Sequence, residues 1–159
     1  ATRSIVIASA LWGVVRLTDR IPAYRLSMGV TLPRIGSLGS FWKSQLAQVL
    51  APVSRNGLIV DCRSDTYAVS WHPKLDRFLG VRVFREVSGE RTVVSHMAKH
   101  SRGLVARALL SEPHAPQTAA EAVDILNAYF ATNEVHTAAG QPVAIKIEFA
   151  QGALEVITS

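Results

Sequence analysis

A single cysteine, Cys62, stands among 159 residues, so an internal disulfide framework is excluded and a reducing compartment fits. No apolar run approaches the roughly 18 residues that a membrane span requires. The opening Ser4-Ile5-Val6-Ile7-Ala8 is too short for one and lacks a cleavage pattern. The five histidines, His72, His96, His100, His114 and His136, fall at no metal-ligand spacing. His96 and His100 are four apart, but a strand end and a helix divide them. No metal and no cofactor is expected. Phosphate-loop, dinucleotide-fold and nucleophile-elbow glycine patterns are all absent, as are repeats, heptads and low-complexity tracts. Disorder is excluded too, because 48% of residues are apolar and mean hydropathy is +0.20. A soluble, cytoplasmic protein without membrane association is the expectation, and the length suits one domain.

Acidic residues are the scarce charge, with twelve Asp and Glu against seventeen Lys and Arg. The imbalance is regional. Residues 1–110 hold sixteen cations and six acids, whereas residues 111–159 hold one lysine, Lys146, and six acids. Thirteen of the cations are arginine, whose planar fork suits phosphate and carboxylate oxygens. An anionic partner is implied, nucleic acid being the commonest; the alternative is a solvated basic surface.

Ser4 to Ala10 reads as a short buried strand. Gly13, Pro22 and Gly29 interrupt the segment after it. Ser40 or Ser37 caps a helix running to about Ala51, with Phe41, Trp42, Leu46, Val49 and Leu50 at helical spacing. Asn56-Gly57 predicts a turn, Leu58 to Cys62 a buried strand, and Ser64-Asp65 the cap of a short helix through Trp71. Val81 to Val87 and Arg91 to His96 form a hairpin about Ser88-Gly89. Helices are predicted from Ala98 to Leu110 and from Thr118, with Glu121 in a capping box, to about Ala131. Val135 to Thr137, Val143 to Phe149 and Leu154 to Ile157 predict strands, with a turn at Ala139-Gly140. The class is α+β with a mixed sheet and packed helices.

Three clusters carry the candidate chemistry. The first is Lys99, Arg102, Gly103 and Arg107, with Lys99 and Arg102 one turn apart. Cations at a helix start oppose its dipole by a few tenths of a kcal/mol each, a cost that a bound anion offsets. Gly103 lowers helix propensity by about 1 kcal/mol relative to alanine and admits a close neighbour. The structural alternative pairs Arg102 and Arg107 with Asp61 or Asp65 and uses Gly103 for tight packing. The second cluster is Arg16, Asp19, Tyr24, Arg25 and Gly29. Gly13 beside Trp12 predicts a sharp turn beneath an aromatic ring, and Arg16 lies close enough to Asp19 to pair. Tyr24 and Arg25, in extended chain, project to opposite faces. Arg25 is the leading functional arginine; its alternative is a buried arginine bonded to backbone carbonyls. The third, Ser64-Asp65-Thr66-Tyr67, comes after a strand end, where open sheets place ligand contacts, although helix capping also explains Ser64 and Asp65. Cys62, inside an apolar strand, reads as an inert buried thiol.

The run Leu11-Trp12-Gly13-Val14-Val15-Arg16-Leu17-Thr18-Asp19 through Tyr24-Arg25-Leu26-Ser27-Met28-Gly29, with Lys99-His100-Ser101-Arg102-Gly103-Leu104-Val105-Ala106-Arg107, resembles the YaaA family of bacterial peroxide-stress proteins (DUF328, UPF0246). Leu17-Thr18 replaces the proline usual between the arginine and the aspartate, and Asp65 stands where the family has glutamate. The match is strong over residues 5–110 and covers about two thirds of a family member. The chain opens on Ala1 with a strand close behind, so a single domain over residues 1–159 is expected, as a fragment or shortened form lacking the family's N-terminal part. The resemblance implies a response to hydroperoxide that limits free iron and oxidative DNA damage. It also implies binding of duplex DNA through a positively charged cleft and a helix-hairpin-helix in the part that precedes this match. Arg16, Tyr24, Arg25, Ser64, Asp65, Tyr67, Lys99, Arg102, Gly103 and Arg107 are the candidate anion- or nucleic-acid-binding residues. The rival reading is an enzyme or small-molecule binder for an anionic, nucleotide-like ligand. There Arg25, Lys99 and Arg102 would fix the anion and Asp65 or Tyr67 would be the reacting group.

Overall fold

A computed structural model describes residues 4–53, 57–73, 76–94, 98–136 and 140–159. Asn56, Ser95, His96, Thr137 and Ala139, where the sequence pattern predicts a turn, strand ends and a second turn, lie outside them. The architecture is α+β with a mixed sheet. Its contacts divide the chain into two compact units, Ala1–Asn56 with Arg63–Lys74, and Gly57–Cys62 with Leu75–Ser159. No helix among the described residues is long and apolar enough to cross a membrane.

The first unit holds two small antiparallel hairpins and two helices. β1 (Ile7–Ser9) pairs with β2 (Gly13–Val15), and β3 (Thr31–Leu32) with β4 (Gly36–Ser37). The strand expected over Ser4 to Ala10 is therefore shorter, and it is covered only towards Ser9 and Ala10, because β2 is its one strand partner among the described residues. α1 (Leu38–Val49) starts at Ser37, whose hydroxyl accepts the Ser40 amide, which settles the choice between the two serines. Leu46 and Leu50 of its apolar stripe are buried, but Phe41 and Val49 stay exposed, since the helix packs along a narrower face than its pattern offers. α2 (Asp65–Ala68) is a single turn, shorter than the helix predicted through Trp71. Ala10, Met28 and Leu38 form the buried centre, with Leu26, Val30, Leu32, Trp42 and Tyr67 packed around it.

The second unit contains β5 (Ile59–Asp61), β6 (Phe78–Val87), β7 (Glu90–Val93), α3 (Ala98–Ser111), α4 (Ala119–Thr132), β8 (Val135–His136), β9 (Pro142–Val143), β10 (Ile145–Ala150) and β11 (Ala153–Thr158). Five strands make one sheet in the order β10-β11-β6-β5, with β7 also on β6, while β8 and β9 pair separately. β6 runs parallel to both β5 and β11; β10–β11 and β6–β7 are antiparallel. Ser88 and Gly89, at φ 54° and 83°, make the two-residue turn predicted between β6 and β7.

Two-residue alternation sorts the sheet's faces. Leu79, Val81 and Val83 of β6, Leu154 and Val156 of β11 and Ile147 of β10 meet Val105 and Ala108 of α3 and Ala122 and Leu126 of α4. The opposite register carries charge: Arg91 bonds Glu86 at 2.9 Å, Glu148 at 2.9 Å and the buried Glu155 at 3.5 Å, and Lys146 bonds Glu148 at 2.7 Å. Hydrogen bonds from Arg91 and then Lys146 hold the Glu148 carboxyl down at about 2. α4 begins at Thr118, whose hydroxyl accepts the Glu121 amide, while the Glu121 carboxylate reaches back one residue further, to the Gln117 amide. From the later half of this helix, Asn127 bonds both backbone groups of Ile147, each at 2.9 Å. A helix side chain thereby completes the ladder of edge strand β10.

Candidate functional site

In the first unit the second cluster is organised around a residue that the sequence pattern hides. Ser9, at the end of β1, is buried; its hydroxyl accepts the Trp12 amide at 3.0 Å and shares a 2.6 Å hydrogen bond with the Tyr24 hydroxyl. A polar residue inside an otherwise apolar run was the available signal. Gly13 comes next at φ +73°, and a Cβ there would lie 2.8 Å from the Trp42 ring. The ring above the turn thus belongs to α1 and not to Trp12, and it is fixed by its indole N–H donating to the Ala10 carbonyl at 2.9 Å. The Asp19 carboxylate accepts the Arg16 amide at 2.7 Å and closes this turn, from which the exposed Arg16 guanidinium donates to the Ile5 carbonyl at 3.5 Å. Met28 is core and Gly29 packs closely on Thr66 of α2, so the end of this motif is structural.

Arg25 is exposed and makes no hydrogen bond or ion pair among the described residues. Together with Tyr24, Leu26, Ser27 and Val30 it lines an open concavity of about 650 Å³. The Gly29–Thr66 contact brings the third cluster beside this segment. There Asp65 is exposed, and Ser64 occupies the cap position of α2 without a capping hydrogen bond from its side chain. Ser64 therefore caps through its backbone, its carbonyl accepting the Tyr67 and Ala68 amides at 2.8 and 2.9 Å. The turn is also tied at its other end, where the Arg63 guanidinium bonds the Tyr67 and Trp71 carbonyls and lies over the Trp71 ring. The ring of Tyr67 packs against the core of the unit.

The first cluster lies on α3 in the second unit. Lys99 and Arg107 are exposed and make no side-chain hydrogen bond or ion pair among the described residues, and a Cβ on Gly103 would meet nothing within 4 Å. Close packing is thus not the role of Gly103 there. Arg102 is different. The carbonyls of Arg77 and Val83 face β5 and β7, receiving the Ile59 and Val94 amides at 2.8 and 3.1 Å, so by alternation the Val81 carbonyl faces that edge too. β5 ends opposite Gly80 and β7 joins only from Phe84, which leaves Val81 in the gap. Arg102 Nε donates to its carbonyl at 3.1 Å. The backbone-bonded role that is the alternative for Arg25 is played by Arg102. Nearby, burial above all, and then the Asp61 carboxylate, push the Cys62 thiol up to about 12 against the pull of Arg102. At neutral pH it stays a protonated, inert thiol.

Charge divides between the units unevenly. The first carries nine Lys and Arg against two Asp, the second eight against ten Asp and Glu. In the first unit Arg20, Arg25, Arg34 and Lys43 are all exposed and, among the described residues, unpaired.

The family model described as peroxide stress protein YaaA matches residues 1–134. The chain belongs to this family. A UPF0246 protein of Streptomyces coelicolor is 41% identical over 152 residues, covering 92% of this chain and 58% of the relative. One from Corynebacterium efficiens is 38% identical over 146 residues, covering 86% and 56%. Another, from a Ruegeria species, is 35% identical over 118 residues, covering 69% and 47%. The chain therefore spans about half the length of these YaaA-family relatives. Both motifs, from Leu11 to Gly29 and from Lys99 to Arg107, lie within the matched residues.

Proposed function

We propose that this YaaA-family chain binds duplex DNA through the exposed cations of its first unit and so limits peroxide damage to it. The observation that carries the reading is the charge of that unit: nine cations, two acids, and arginines left without partners among the described residues. A guanidinium kept in water without a counter-charge contributes little to folding, yet each one that meets a phosphate releases a condensed counterion. Four contacts, from Arg20, Arg25, Arg34 and Lys43, give a slope of log affinity on log salt of about −3.6, or a loss of roughly a hundredfold between 50 and 200 mM salt. Arg16 adds a fifth cation on the turn closed by Asp19.

Fluorescence anisotropy of a labelled 20-base-pair duplex against salt tests this. Arg20→Glu with Arg25→Glu is expected to abolish binding at 150 mM salt, and Lys99→Glu with Arg107→Glu to weaken it less. Affinity that ignores salt, or that survives the first pair of reversals, refutes the assignment. Limiting free iron is the second part of the role implied by the family. It is checked by measuring chelatable iron in peroxide-treated cells with and without the gene, equal levels arguing against it.

A further inference from the structure

Three described residues other than glycine sit at positive φ: Arg34 at 66°, Ser88 at 54° and Gln151 at 50°. Ser88 and Gln151 each precede a glycine in a two-residue turn, between Val87 and Glu90 and between Ala150 and Ala153, where such a backbone is ordinary. Arg34 is different. It stands in the loop of the β3–β4 hairpin between Leu32 and Gly36, third in a turn closed by the Ile35 amide on the Leu32 carbonyl at 3.3 Å. Glycine or asparagine is the usual occupant of such a position, and an arginine there is strained. Nothing described offsets the strain, because the guanidinium has no hydrogen bond or ion pair among those residues. A side chain kept at such a cost points to a partner outside the chain.

The rest of the hairpin shows what it presents. At its base Leu32 packs against the Ala10, Met28 and Leu38 cluster, and the Leu38 amide donates to the Val30 carbonyl at 3.1 Å. The strands are thereby fixed to the core of their unit. The tip stands clear: Pro33, Arg34 and Ile35 are exposed, Ile35 by 49%, and a Cβ on Gly36 would meet nothing described within 4 Å. An anchored hairpin thus carries one guanidinium flanked by two apolar residues. That combination suits the minor groove of a duplex, which is about 6 Å wide. Its floor at A·T pairs offers only acceptors, its walls are sugars, and the phosphates on both sides concentrate negative potential in it. A phosphate on the outside of the duplex would use the charge and leave the apolar flanks in water.

We infer that the β3–β4 tip enters the minor groove of duplex DNA, with Arg34 on the base edges and Pro33 and Ile35 against the sugars. The inference rests on the DNA-binding reading. It adds a groove and a preference for A·T over G·C pairs, whose guanine amino group projects from the floor. Lying between two rows of phosphates, the Arg34 charge keeps its place in the salt dependence.

The test compares three 20-base-pair duplexes that differ only in a central block of A·T, G·C or inosine·cytosine pairs. Inosine lacks the guanine 2-amino group, so the third duplex offers the minor-groove pattern of the first and the major-groove pattern of the second. By fluorescence anisotropy the A·T and inosine blocks are expected to bind alike, and about fivefold or more tighter than the G·C block. Arg34→Gly, which suits the backbone of the turn and so keeps the fold, is expected to bring all three to one affinity. Ile35→Ser narrows the ratio. Equal binding of the A·T and G·C blocks by the wild type, an inosine block that behaves like G·C, or a preference that survives Arg34→Gly overturns the inference while leaving duplex binding intact. Failure to bind all three removes the DNA-binding reading itself.

Discussion

Replacing Gly13 by alanine probes the turn on which the Tyr24 segment depends. Its backbone is at φ +73°, where an L side chain costs about 1–2 kcal/mol. The new methyl would lie 2.8 Å from two Trp42 ring carbons and 3.2 Å from a Leu46 methyl. Neither can yield cheaply: the indole is held by the Ala10 carbonyl and by its edge contact with Phe41, and Leu46 is fully buried. Such overpacking costs about 1–3 kcal/mol. Against this, alanine restricts the unfolded chain and recovers about 0.4–1 kcal/mol. The net loss is about 2–4 kcal/mol, a melting point lower by roughly 5–15 °C for a chain of this length. Gly89→Ala is the control, because φ is +83° there and nothing among the described residues lies within 4 Å of the new atom, so about 1 kcal/mol or less is expected. Trp12, Trp42 and Trp71, the three tryptophans, all fall in the first unit, so tryptophan fluorescence, excited selectively over tyrosine, reports on that unit during urea unfolding. Equal shifts for the two variants, each measured in its own unit by fluorescence or circular dichroism, would refute the ring contact as the main source of the loss.

Asn127→Ala strips both backbone groups of Ile147 of their partners and is expected to cost about 1–3 kcal/mol in urea unfolding. It also exposes the β10 edge, so light scattering on heating should rise earlier than for Asn127→Gln. Glu148, held at about 2 by Arg91 and Lys146, contributes stability that is present above the ordinary carboxylate range and lost as pH falls towards 2. Unfolding midpoints of Glu148→Gln and the wild type should therefore converge between pH 4.5 and 2; a constant gap would contradict the pairing. Cys62, pushed up to about 12, should resist iodoacetamide and millimolar peroxide in the folded protein at pH 8 and react fully in urea, as read by mass spectrometry.

How much of the fold the sequence discloses depends on the range of each interaction. The β6–β7 hairpin and the starts of α1 and α4 depend on residues within four positions of one another, and each stands where its turn or capping chemistry puts it. The ring over Gly13 comes from Trp42, and no local pattern links the two. Arg25 and Arg102 look alike in their own segments; the gap that β5 and β7 leave along β6 decides that Arg102 bonds a carbonyl. Ser9 is masked by the apolar run around it, although a hydroxyl at a buried strand end must find partners. Phe41 and Val49 keep helical spacing and yet face water, since periodicity tells which residues share a face but not how wide a surface the neighbours cover. The family resemblance locates the two motifs and leaves open which of their side chains are free.

The position of β11 has a consequence for how the polypeptide is made. Val81 pairs with Leu154 and Phe84 with Ile157, so the middle of the sheet is filled by its latest strand in chain order. During vectorial synthesis β6 emerges from the ribosome long before its neighbour, with Val81 and Val83 uncovered and one edge waiting. Joining partners so far apart requires closing a long loop before any pairing energy returns, which favours slow completion and chaperone contact in the interval. Stop codons or cleavage ahead of residue 153 would leave β6 and β10 with facing, unfilled ladders and a nascent chain prone to pair with its copies.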